Sequence, residues 1–203
     1  MPTKTIKTPH DVYQVKITLI GSRPPIWRRL LVPADLTLAQ FHDVLQAAVG
    51  WDDSHLHEFR IGRQRYGVPD PEDMFMGGSA CINERKVRLG EVPGKVGAKA
   101  EYTYDFGDSW EHSIVVEKVL APEPGVVYPL CTAGKGRCPP EDCGGLGGYY
   151  NLLDAIQDPD HEQHEELLEW IGGSFDPAAF SVDQVNQKLA RLQRRPAKTS
   201  KPM

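Results

Sequence analysis

Residues 102–116 alternate on both sides of a Gly-Asp pair, and this stretch constrains the fold more than any other. Tyr102, Tyr104 and Phe106 alternate with Thr103 and Asp105; beyond Gly107-Asp108, Trp110, His112, Ile114 and Val116 alternate back. A period of two belongs to a strand with one buried face. Two such runs about a Gly-Asp turn predict an antiparallel hairpin with an aromatic inner face.

The rest of the chain supplies what that hairpin needs. Tyr13, Val15, Ile17 and Leu19 alternate with polar residues over 12–20, and after the turn residues Gly21 to Pro25 a second strand is expected over 26–32. Thr37-Leu38-Ala39-Gln40 is a capping box, opening a helix with Leu38, Phe41, Leu45 and Val49 on one face and Gly50 at its end. His55, His57, Phe59 and Ile61 are expected on one face of a further strand, with Tyr66 in its partner. Residues 68–84 read as an irregular loop, and 121–147, rich in Pro and Gly, as a long connection. Helices are expected from about Gly148 to Ile156, from an Asp160 cap with Gln163 at N3, and from the capping box Ser181–Gln184. No internal repeat is visible.

These elements predict one α+β domain over 11–193: a mixed, mainly antiparallel sheet with a β-grasp-like ββα start and a helical C-terminal section. The Thr37–Val49 helix covers one sheet face, and Trp27, Trp51 and Trp110 are expected to be buried in or beside the sheet. Residues 1–10 and a basic tail at 194–203 are expected to be disordered.

Of the 203 residues, 40% are hydrophobic and 25% charged, which excludes a disordered chain. No apolar run approaches the roughly 18 residues of a membrane span, and the first residues carry no secretory apolar region. A soluble cytoplasmic protein is therefore expected. The net charge of −5 hides an asymmetry: residues 101–190 carry 4 basic and 17 acidic side chains, a balance of −13. That half repels phosphate and suits a basic protein partner. Nucleic acid is not expected as a partner except weakly, through the tail with Arg194, Arg195, Lys198 and Lys201.

Three groups of residues could carry chemistry. Cys131, Cys138 and Cys143 stand at spacings C-x6-C-x4-C in the Pro/Gly-rich connection, where thiolates could hold structural zinc with Cys81, His112 or another distant fourth ligand. Paired C-x2-C knuckles are missing, so buried, unliganded thiols compete with that reading. Asp105 and Asp108 flank the hairpin turn, His112 follows on the strand, His55 and His57 share a strand face, and Glu141 and Asp142 lie in the connection. Imidazoles and carboxylates of this kind suit a divalent metal or an acid/base pair, provided the segments meet. The competing reading is an Asx turn at Asp108 and a packed His112. Gly144-Gly145-Leu146-Gly147-Gly148 leads into a helix whose N–H groups could hold an anion, but it has neither a P-loop nor a dinucleotide spacing. In His161-Glu162-Gln163-His164 the histidines are one residue too close for a zinc-protease helix.

Four segments occur in an order that resembles the plasmid pRiA4b ORF-3-like family. They are Pro24 to Arg29, Gly50-Trp51 with His55 to Phe59, Tyr104 to His112, and Pro139 to Gly145. The resemblance covers roughly residues 11–190. Members occur on plasmids, on microbial chromosomes and as TnpR-like passengers of insertion sequences. The resemblance implies one compact α+β domain and brings no agreed activity with it. It marks Asp105, Asp108, Trp110, His112, Glu141 and Asp142 as signature positions without assigned roles, and it does not extend to Cys138. The expectation is a mobile-element-associated protein acting as a non-catalytic binding or adaptor module. The alternative is a metal-dependent, hydrolase-like enzyme using Asp105, Asp108 and His112 with Glu141 and Asp142.

Overall fold

A computed structural model describes residues 11–69, 81–92 and 95–194. The disorder expected for 1–10 and for most of the basic tail, and much of the irregular loop 68–84, lie outside these residues.

Strand β1 (Val12–Leu19) pairs antiparallel with β2 (Trp27–Pro33). Helix α1 (Leu38–Val49) follows with the expected capping box between Thr37 and Gln40, and Gly50 closes it in the left-handed region at φ 95°. Next come β3 (His57–Ile61), β4 (Gln64–Gly67) and the short β5 (Ile82–Asn83). The hairpin read from the alternation is β6 (Lys99–Tyr104) with β7 (Trp110–Leu120). Strand β8 (Leu130–Lys135) precedes α2 (Gly145–Gln157), α3 (His164–Trp170) and α4 (Val182–Gln193).

The eight strands form one sheet in the order β5-β4-β3-β6-β7-β1-β2-β8. Every pairing is antiparallel except β4 with β5. The architecture is α+β, as expected, and the β6–β7 hairpin is its centre. Val15, Leu30, Tyr102, Trp110 and Ile114 from the sheet share a core with Leu38, Phe41 and Leu45 of α1 and with Leu189 of α4. No described helix is long and apolar enough to cross a membrane.

Several details depart from the expectations. Phe106 does not continue the inner face of β6; it is 54% exposed, because Asp105 takes φ 56° and turns the chain away after Tyr104. The connection 121–147 contains β8, an edge strand on β2. Helix α2 starts at Gly145, and α3 starts at His164 with Gln163 at its N-cap. Trp51 and Trp110 are buried, whereas Trp27 is only half-buried, with Lys16 and Arg29 over its ring at 5.0 and 5.2 Å.

The Trp-Arg-Arg run on β2 serves the fold. Arg28 is 4% exposed; its Nε donates to the Ala48 carbonyl near the end of α1, and its Nη1 donates to the carbonyls of Trp27 and Lys135. The ring of Phe180 lies 4.5 Å from its guanidinium carbon. A buried cation needs this many acceptors, and the carbonyl end of a helix is a favourable one. Arg29, on the opposite face, pairs with Glu117 at 2.6 Å.

Candidate functional site

The site lies where three segments meet at one end of the sheet: the loop after α1, the β6–β7 turn, and the loop before α2. His55, Asp105 and Asp142 each offer one ligand atom, and these atoms lie within 4.8 Å of one another. His55 Nε2 is 2.9 Å from Asp142 Oδ1 and 3.7 Å from Asp105 Oδ2. The Nε2 atom is sealed from solvent, yet its approach to Asp142 lacks hydrogen-bond alignment, so it makes no regular hydrogen bond. Asp142 is the exposed member, with 67% of its side chain open, against 12% for Asp105.

Local folding explains each placement. Asp105 Oδ1 accepts from Gly107 N at 2.9 Å and Asp108 N at 3.4 Å, an Asx turn that leaves Oδ2 for His55. Its own N–H donates to the Leu56 carbonyl and fastens the turn to the His55 loop. The Asx turn anticipated at Asp108 is thus made by Asp105, while Asp108 Oδ2 accepts from Gly144 N at 3.1 Å. Gly145, at φ 66°, lies so close to the Asp108 carbonyl that a Cβ there would stand 2.5 Å from its oxygen. Close packing is therefore one role of these glycines.

Behind the three ligand candidates stands Tyr104. Its hydroxyl donates to Glu141 Oε1 at 2.5 Å and accepts from Ser54 N at 2.9 Å and His55 N at 3.3 Å. Glu141 Oε2 accepts from Asp52 N at 2.7 Å. Burial, reinforced by Glu141, holds the Tyr104 phenol protonated well above its ordinary range. Trp51 stacks on Tyr104 with centroids 5.1 Å apart, and its Nε1 donates to the Pro139 carbonyl.

The two histidines expected on one strand face part company. His55 precedes β3 and joins the acids, whereas His57, in β3, turns inward to Glu84 at 2.8 Å. His57 stacks on His42 of α1, with centroids 3.5 Å apart and planes within 3°. His42 Nε2 is 2.7 Å from Asp53 Oδ1, and its Nδ1 is 2.8 Å from the Tyr102 hydroxyl, which also accepts from Gln46. Burial, then the neighbouring His57, lowers the His42 pKa to about 4. Sequence reasoning missed this pair; the signal was His42 and Gln46, four apart beside the apolar stripe of α1.

His112 and Trp110 are core residues, 2% and 1% exposed. His112 Nδ1 lies 3.0 Å from the Trp110 carbonyl, and burial lowers its pKa to about 4. The cysteines are held by separate partners. Cys131 Sγ faces the Ala133 carbonyl, Cys138 Sγ accepts from Arg28 Nη2, and Cys143 lies before α2 with its thiol pushed up to about 12 by burial and nearby Asp108. The metal-capable group among the described residues contains none of them. Among the described residues, His55, Asp105 and Asp142 are the group close enough together to share one metal ion. At the near-miss zinc-protease run, His164 bonds the Ala155 carbonyl and His161 accepts from Gln163 N.

An open, one-sheet α+β chain with an imidazole and two carboxylates gathered at one sheet end is the class that fold and site define. The chain belongs to the plasmid pRiA4b ORF-3-like family, whose pattern matches residues 11–184. It is 43% identical over 184 residues to the uncharacterized protein y4hQ of Sinorhizobium fredii (strain NBRC 101917 / NGR234), covering 90% of this chain and 92% of that one. It also resembles the crystal structure of MM3350, a protein of unknown function from Methanosarcina mazei Go1. That similarity has a TM-score of 0.77 and 35% identity, covering 87% of this chain and 97% of the other.

Proposed function

We propose that this protein is a metal-dependent enzyme of hydrolytic type whose divalent cation is held by His55, Asp105 and Asp142. The observation that carries the reading is their convergence from three separate segments, with ligand atoms within 4.8 Å. One imidazole nitrogen and two carboxylate oxygens suit zinc or manganese, and three protein ligands leave positions for water and substrate. A cation held by these three side chains would supply the chemistry of an activated water at neutral pH. It would also offset the negative charge of Asp105 and Asp142 that otherwise repels an anionic substrate. Asp108 and Glu141 fit as supports of this site, and His112 as part of the core beneath it.

The test is metal content and affinity. Protein purified without chelator should carry about one equivalent of metal or bind Mn2+ with that stoichiometry in calorimetry, and His55→Ala should lose it. Cys143→Ser should keep it. Loss of metal in Cys143→Ser with retention in His55→Ala would overturn the reading in favour of a thiolate site.

A second reading, a non-catalytic adaptor for a basic protein in a mobile-element setting, is favoured by α3. None of its residues is buried, and Trp170 is 48% exposed on the same helix as Glu165, Glu166 and Glu169. Acidic side chains around an exposed Trp suit a basic partner. Capture of one specific basic protein, weakened by salt and by Trp170→Ala, would support it; recovery of nucleic acid alone would count against it.

A further inference from the structure

We propose that Tyr104 and Glu141 are positioning residues that assemble the cation site, an inference that rests on the metal-centred reading above. Each candidate ligand directly follows a residue tied to this pair. His55 follows Ser54, and the N–H groups of both donate to the Tyr104 hydroxyl. Asp105 follows Tyr104 itself, and Asp142 follows Glu141, which accepts from that hydroxyl at 2.5 Å. The second oxygen of Glu141 holds Asp52 N, at the start of the His55 loop. One phenol–carboxylate pair therefore fixes three chain segments that are far apart in sequence.

The hydrogen bonds of the pair support this role rather than ligation. A phenol has one donor and two acceptor positions, and all three are used. Each Glu141 oxygen accepts one hydrogen bond, from the phenol and from Asp52 N. A hydroxyl-to-carboxylate bond this short is among the stronger kinds, and Trp51 stacked on the phenol fixes its plane. The phenol has no acceptor position left for a metal, and each Glu141 oxygen is already turned toward a chain segment it holds, whereas His55 Nε2 remains without an aligned hydrogen bond.

Tyr104→Phe keeps the ring and its stack while deleting the hydroxyl. Mn2+ affinity by calorimetry should fall about 10–100-fold, the size of effect expected when an outer partner of a ligand is lost. The electron paramagnetic resonance spectrum of bound Mn2+ should broaden at equal loading, a change that a general loss of stability does not produce. Hydrogen exchange of the Asp52, Ser54 and His55 amides should quicken, while amides of β1 and β7 keep their protection. Glu141→Gln, which retains an acceptor for the phenol, should give a smaller loss, and the double variant should lose less than the two single losses combined. Wild-type affinity and an unchanged spectrum in Tyr104→Phe would overturn the proposal and leave the metal reading standing. No cation bound by the wild-type protein would overturn both. If Tyr104→Phe fails to fold, the same measurements on Glu141→Gln decide: weakened affinity with a broadened spectrum supports the proposal, and wild-type values overturn it.

Discussion

Asp53, Asp105, Ser109 and Asp142 all hold positive φ, from 53° to 60°, and all four lie in the segments that build the site. Left-handed backbone costs an L residue energy, and Asp tolerates it better than most. For Asp142 the side chain is two-thirds open, so its carboxylate has little to contribute to the bare fold. Asp142→Gly should therefore leave the metal-free melting temperature unchanged or raised, while cation affinity falls at least tenfold. A drop of several degrees without metal would mean that the carboxylate serves the fold instead. The buried imidazoles make a second prediction. His42 and His112 are each lowered from 6.5 to about 4, so the unfolded chain binds more protons than the folded one between those values. Their contribution to stability is complete above about pH 6.5 and is lost as pH falls toward 4, by roughly 3 kcal/mol for each group. Urea midpoints should fall steeply over that window, and His112→Phe should flatten the slope. A flat wild-type profile would refute the assignment of neutral, buried rings.

The start of α2 depends on two glycines that the sequence makes look alike. A Cβ on Gly148 would stand 1.7 Å from the Cys143 carbonyl oxygen, whereas one on Gly147 would meet nothing within 4 Å. Gly147→Ala should stabilise the protein by about 1 kcal/mol through helix propensity. Gly148→Ala should destabilise it by more than that and loosen the loop bearing Asp142; equal unfolding midpoints for the two variants would contradict this packing. Elements with a local signal were legible. The alternation of 102–116 gave β6 and β7, and hydroxyl caps at Thr37 and Ser181 marked α1 and α4. Strand β8 was not legible, because Leu130 to Lys135 is short, contains Gly134, and is held by long-range partners, its edge pairing with β2 and the Asn186 side chain of α4 on the Cys131 backbone. The site was half legible. Its residue types were visible, but which histidine met which acid depended on β3 starting at His57, after His55 had already turned toward Asp105.

At the scale of the molecule, the sheet order places chain-distant strands side by side. Strand β1 is flanked by β2, its neighbour in sequence, and by β7, where Val12 faces Leu120. Strand β3 likewise waits for β6, with His57 opposite Tyr104. The N-terminal ββα unit therefore cannot complete its sheet from its own residues, and the His55 loop lacks its anchors on Tyr104 and Asp105 until the central hairpin is made. During synthesis this becomes a matter of time. At about 5–20 residues per second, on the order of 5–20 s separate the appearance of β1 from that of its β7 partner. Through that interval an apolar strand edge stays open to any other chain, so nascent chains halted before residue 110 should be protease-sensitive and bound by holdase chaperones. Chains released past residue 193, with β8 and α4 in place, should be resistant, and early resistance of the shorter chains would show that the first half folds unaided.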